Sequence, residues 1–116
     1  MKRDIGLFIE DISGGIKNIG DFTRGLNKEK FSKDTLRQSA VIRQLEIIGE
    51  AVKNIPDNFR KKYPEVPWKD IVGMRDKLMH HYFGANLNTV WKVIKEDFPD
   101  LKKKIQKIKN DRNNKI

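Results

Sequence analysis

Apolar residues recur along this chain in steps of four and three. Ile5, Ile9, Ile12, Ile16 and Ile19 form one series, and Val41, Leu45, Ile48, Val52 and Ile55 a second. Leu87, Trp91, Ile94, Phe98, Leu101, Ile105 and Ile108 form a third. A helical turn brings such positions onto one stripe, so each series predicts a helix that packs against other helices. No stretch of comparable length alternates apolar and polar residues as a strand does.

Helix-stopping residues stand between the series. Gly25 and the polar run Asn27-Lys28-Glu29-Lys30 separate the first two helices. Ser32 or Asp34 caps the second, and Pro56 stops it, because the residue before a proline avoids the helical region. Asp57 to Lys62 predicts a short helix, and Tyr63 to Pro67 an extended or turned connection. Pro67 suits the first turn of a helix from about Trp68 to Tyr82, which Gly84 ends. Asn86 or Asn88 caps the last helix, inside which Pro99 predicts a kink or brief break. Gly14 and Gly15 each cost the first helix about 1 kcal/mol relative to Ala, and either admits a close neighbour or weakens the region. The expectation is all-α: an up-and-down bundle of four main helices plus a short fifth, in one domain spanning residues 1–116.

Composition narrows the chemistry. With no cysteine, disulfides and thiolate metal sites are excluded, and a reducing cytoplasm fits. No apolar run approaches the roughly 18 residues of a membrane span, and the acidic residues within MKRDIGLFIEDISGG argue against a signal peptide. The net charge is +9, an excess that favours polyanions. The tail from about residue 100 carries seven basic residues against Asp100 and Asp111, a balance of +5. It reads either as a nucleic-acid surface or as a solvated helix face.

The sharpest local feature is Met74-Arg75-Asp76-Lys77-Leu78-Met79-His80-His81-Tyr82-Phe83-Gly84. On a wheel with Trp68 at zero, Ile71, Val72, Leu78, Met79 and Tyr82 fall within an arc of about 120°. Arg75 lies in the middle of that arc. A guanidinium on a packing face must be paired, since it does not give up its proton. It pairs with Glu46 or Glu50 of the second helix, or lies at a subunit interface, or lines a cleft that binds phosphate. Asp76 stands one turn before His80, where its carboxylate can orient the imidazole and raise its pKa. His81 falls on the polar side. Two adjacent histidines without HxxxH or HExxH spacing do not make a metal site. Arg75 and His80 are about 140° apart around one helix, so their convergence requires a loosened helix end or a second copy across a twofold axis. Tyr82 shares the stripe of Arg75.

Arg75, His80 and Tyr82 together form an R-x4-H-x-Y motif. In the context of "VIRQLEIIGEAVKNIP", "YPEVPWKDIVGMRDKLMHHYFG" and "TVWKVIKEDFPDLK", the chain resembles the HepT-like toxins of the HEPN superfamily over nearly its whole length. Asp76 stands where the motif often has Asn, and His81 where it often has an acidic or small residue.

The resemblance implies a homodimer or higher oligomer whose cleft holds Arg75 and His80 as the catalytic pair of a metal-independent endoribonuclease, with no cofactor. It implies the toxin of a type VII HepT/MntA-like system. A small MntA-type nucleotidyltransferase antitoxin would transfer AMP to Tyr82, and RNA would be the substrate. The location implied is cytoplasmic, without a membrane partner. The alternative is a non-catalytic helical subunit that docks on a nucleotidyltransferase and presents its substrate. A plain basic nucleic-acid-binding bundle is a third reading.

Overall fold

The computed structural model describes residues 4–80 and 87–114, with His80 given by its backbone alone. Its elements are α1 (Ile5–Phe22), α2 (Lys28–Lys33), α3 (Thr35–Lys53), α4 (Asp57–Arg60), α5 (Trp68–His80), α6 (Leu87–Lys92), a π-helical turn (Val93–Asp97) and α7 (Phe98–Asn113). Among the described residues there is no strand, and no helix is long and apolar enough to cross a membrane.

Helix α3 is the centre of the bundle, packed against α1 on one side and α5 on the other, while α7 returns along α1. The predicted stripes are the core. Ile9, Ile12, Ile16 and Ile19 of α1 meet Val41, Leu45, Ile48 and Val52 of α3, and Leu101, Ile105 and Ile108 of α7 join them, all buried. Each such side chain contributes about 1.5–3 kcal/mol by leaving water. Of the two glycines in α1, Gly15 is the one that matters for packing. A Cβ there would stand 2.6 Å from Cγ1 of Ile48, whereas one at Gly14 would meet nothing. Close approach of α1 to α3 therefore depends on one glycine of the pair.

The predicted boundaries hold where local chemistry sets them. Asp34 caps α3, its carboxylate accepting from the Arg37 backbone N–H at 2.9 Å. Ser32 lies instead inside α2, its hydroxyl donating to the Glu29 carbonyl. Gly25 takes φ +78° after α1, a conformation that costs glycine little. Arginines close two helix ends. Arg37 donates to the Phe22 carbonyl at the end of α1. Arg60 donates to the carbonyls of Val52, Lys53 and Ile55 at the end of α3. Carbonyls at and just past a helix end lack the usual i+4 donor, and these arginines supply one.

Two expectations are corrected, and a third is narrowed. The run Asn27 to Lys30 is not merely a separator, because Asn27 accepts from the Lys30 backbone N–H at 2.8 Å and opens α2. Its signal was present as Leu26 and Phe31, apolar residues flanking a cap at the spacing of a hydrophobic staple. With α6, the π turn and α7 taken as one continuous helix, the described residues form two short helices, α2 and α4, beside four main ones. Asn88 sits within α6 and does not cap it, and Asn86 lies outside the described residues. The irregularity expected at Pro99 falls one turn earlier, where the Phe98 N–H reaches back five residues to the Val93 carbonyl. A proline donates no hydrogen bond and crowds the preceding turn, and the wider π turn gives that space.

Candidate active site

The α5 helix runs from Trp68, as its sequence predicts, and turns Leu78 inward. Trp68 anchors its start, with the indole N–H shared between the carbonyls of Arg60 (3.1 Å) and Tyr63 (3.0 Å). The apolar arc is not fully covered, however. Ile71, Val72 and Met74 are half-buried and Met79 is 51% exposed. Ile71, Val72 and Met74 pack against the edge of the core, and Arg75 sits on the same face.

Arg75 lies where α5 crosses α3 at Gly49. A Cβ on Gly49 would stand 2.6 Å from Cγ of Arg75 and closer still to its Cβ. The absence of a side chain at this one position lets the stem of the arginine lie on the α3 backbone. The guanidinium then reaches past it. Nη2 donates to Oε2 of Glu50 at 2.7 Å and Nη1 donates to Oδ1 of Asp76 at 2.9 Å. The arginine side chain is 17% exposed, its partners 54% and 49%. Of the two carboxylates proposed from sequence, Glu50 is the one that pairs.

The hydrogen bond to Asp76, reinforced by the charge of Glu50, pushes the pKa of Arg75 above its already high ordinary value. The group stays cationic at any working pH. A guanidinium has five N–H donors. The two ion pairs fix its plane and leave further donors for an anion.

The arginine borders an open groove of about 410 Å³ between α1 and α5 across α3. Phe8 and Asp11 come from α1, Arg43, Glu46, Ile47 and Glu50 from α3, and Asn54 from the residue that follows it. The α3 residues recur at helical spacing, so this second stripe was present in the sequence beside the buried one. Gly49 and Arg43 were not singled out there. A small residue between Ile48 and Glu50 was the available signal for the first.

His80 continues α5 five residues after Arg75, and its side chain lies outside the description. The proposed contact from Asp76 to His80 is therefore outside it too. What the structure gives for Asp76 is a bond to Arg75. Tyr82 and His81 lie outside the described residues.

The basic tail has a different character from its composition. Lys104 pairs with Asp100 at 2.7 Å, Lys107 with Asp111 at 3.2 Å, Lys109 with Glu10 at 3.4 Å and Arg112 with Asp4 at 3.4 Å. Asp111 also accepts from the Tyr63 hydroxyl at 3.0 Å. Much of the positive charge of α7 is thus engaged by neighbouring carboxylates.

The sequence pattern of a family described as "Ribonuclease HepT-like" matches residues 12–108. A relative named "Probable ribonuclease HepT", from Thermococcus cleftensis, is 50% identical over 94% of this chain and 99% of its own. One named "Putative RNase MJ0127", from Methanocaldococcus jannaschii, is 47% identical over 95% of this chain and 91% of its own. One named "Putative RNase TTE0752", from Caldanaerobacter subterraneus, is 45% identical over 87% and 90%. No solved structure matches the chain.

Proposed function

Because the chain belongs to the HepT-like ribonuclease family, we propose that it is a metal-independent endoribonuclease, the toxin of a type VII toxin–antitoxin pair. The observation that carries this reading is Arg75. It is a permanently charged fork, held in plane by Glu50 and Asp76 beside an open groove.

RNA needs no metal for this cleavage, since each phosphate has a 2′-hydroxyl beside it. His80 takes the 2′ proton as the oxygen bonds to phosphorus. The bond from phosphorus to the 5′ oxygen breaks, and a second histidine protonates that leaving oxygen. The products are a 2′,3′-cyclic phosphate end and a 5′-hydroxyl end. Arg75 binds the phosphate and stabilises the charge that accumulates on it in the transition state.

The second histidine is that of another copy across a twofold axis. The incompletely covered face of α5, with Met79 exposed and Ile71, Val72 and Met74 half-buried, supports such a pairing. Control is assigned to Tyr82. A nucleotidyltransferase antitoxin transfers AMP from ATP to its hydroxyl and releases pyrophosphate. The new phosphodiester is an anion that competes with an RNA phosphate for Arg75.

The test is cleavage of single-stranded RNA by purified protein in excess EDTA. Wild type is expected to cleave, and Arg75→Ala and His80→Ala to fail while melting at the wild-type temperature. Equal cleavage by both variants removes this site from the mechanism. Absence of cleavage by wild type, with tight binding to a nucleotidyltransferase, favours the non-catalytic subunit.

A further inference from the structure

The chain has two tryptophans, and they are placed differently. Trp68 is buried, and its indole N–H is bonded to two carbonyls. Trp91 of α6 is only partly covered. Its ring leans on the buried Phe31 of α2 at 5.2 Å between centroids, and the Lys95 ammonium stands 4.7 Å from its centroid. Around it lies a groove of about 430 Å³ lined by Lys28, Asn88, Thr89, Trp91, Lys92, Lys95 and Glu96. Three cations and one carboxylate therefore surround an aromatic ring that is fixed from behind.

The lysines here differ from those of α7. Among the described residues, no carboxylate stands within ion-pair distance of Lys28, Lys92 or Lys95, whereas Lys104, Lys107 and Lys109 each have one. All three groove lysines are exposed. A fixed aromatic ring with unengaged cations beside it is the arrangement that binds single-stranded nucleic acid. A base stacks on the ring, and the flanking phosphates meet the ammonium groups. The Lys95 side chain is flexible, so an incoming base displaces its ammonium from the ring toward a phosphate.

We infer that the groove between α2 and α6 is a binding site for a single-stranded nucleic-acid segment, with one base stacked on Trp91 and phosphates at Lys28, Lys92 and Lys95. It is built from other helices than the Arg75 groove and performs no chemistry. Its role is to hold a strand, and it goes beyond the cleavage reading without depending on it.

The probe is a fluorescently labelled oligodeoxythymidylate of about ten nucleotides, which lacks the 2′-hydroxyl and is not cut. Anisotropy is expected to show saturable binding, with a log–log salt slope of about −2 for three phosphate contacts on a single strand. The exposed double variant Lys92→Glu/Lys95→Glu is expected to weaken binding by about tenfold or more, and Trp91→Leu by several-fold. Lys102→Glu/Lys103→Glu on α7 makes the same change in net charge and is expected to stay within about twofold of wild type. Tryptophan emission is expected to fall on binding.

Equal loss in the α7 control overturns the proposal, because affinity would then follow net charge alone. Wild-type affinity in Lys92→Glu/Lys95→Glu overturns it, as does binding without any change in tryptophan emission. Equally tight binding of polyglutamate that depends on the same lysines overturns it in favour of an acidic protein partner. A chain that proves unable to cleave RNA leaves this result unaffected.

Discussion

Two arginines, one at the end of α3 and one about a turn before it at Gly49, are similar in burial and differ in their acceptors. Arg60 is 22% exposed and Arg75 17%. Arg60 donates to the carbonyls of Val52, Lys53 and Ile55. Those acceptors are part of the backbone and cannot leave. Arg75 donates to Glu50 and Asp76, two half-exposed carboxylates at a groove. Those acceptors are side chains that can rotate, beside a groove open to solvent. Burial and charge do not separate these two arginines. The permanence of their acceptors does, and the proposed role of Arg75 rests on that difference.

The comparison can be broken by substitution. Arg75→Ala is expected to lower RNA cleavage by about a hundredfold or more, as removal of a group that meets transition-state charge does. Its melting temperature should stay near wild type, and a large loss of stability would make Arg75 another Arg60. Arg60→Ala is expected to do the reverse. It leaves three carbonyls at the end of α3 without their donor and costs about 2–3 kcal/mol in denaturant unfolding, since bonds to a charged donor are the stronger kind. Residual cleavage per folded molecule should be unchanged.

Gly49→Ala sharpens the contrast, because its Cβ would force the Arg75 stem off α3. It is expected to cost about 1–3 kcal/mol, as overpacking does, and to lower cleavage as well. Loss of stability without loss of cleavage would show that the crossing does not position the arginine.

Tyr63→Phe probes the hydrogen bond to Asp111 that ties α7 to the α4–α5 connection. It is expected to cost about 1 kcal/mol near neutral pH. Burial, then the hydrogen bond to Asp111, raises the Tyr63 pKa above its ordinary 10.0. The unfolded chain therefore ionises first. The stability linked to the neutral phenol is full below the unfolded pKa and falls as pH rises above about 10. Urea unfolding from pH 9 to 11 should show this decline in wild type and a smaller one in Tyr63→Phe.

The smallest effect is expected from Glu50→Gln. The amide still accepts from Arg75, but one negative charge leaves the groove. The KM for RNA is expected to fall a few-fold with kcat nearly unchanged. A large fall in kcat would give Glu50 a role in the chemistry.

The basic tail and the α2–α6 groove make a second contrast. Composition pointed to the tail, where the positive residues are dense. In the fold, Asp4 and Glu10 of the N-terminal segment and Asp100 and Asp111 of α7 itself engage four of them. Among the described residues, the sparser lysines beside Trp91 have no carboxylate at ion-pair distance, although Glu96 shares their groove. Charge counted along a chain includes pairs that the fold cancels. It also misses groups that the fold gathers from separate helices.

What the sequence determined by itself was local. Periodic apolar positions specify helices and their buried faces, because adjacent turns bring residues three and four apart together. Asp34, Gly25 and Pro56 mark boundaries for the same reason, and Leu26-Asn27 with Phe31 marked α2 had the staple been read. Arg75 stood out because a cation in an apolar arc needs a partner. Which partner was a tertiary matter. So were the need for Gly15 and Gly49 but not Gly14, the depth of the Arg75 groove, and the seating of Trp91 on Phe31. Each of these depends on which residues distant in sequence share one place, and that is decided by how the helices cross.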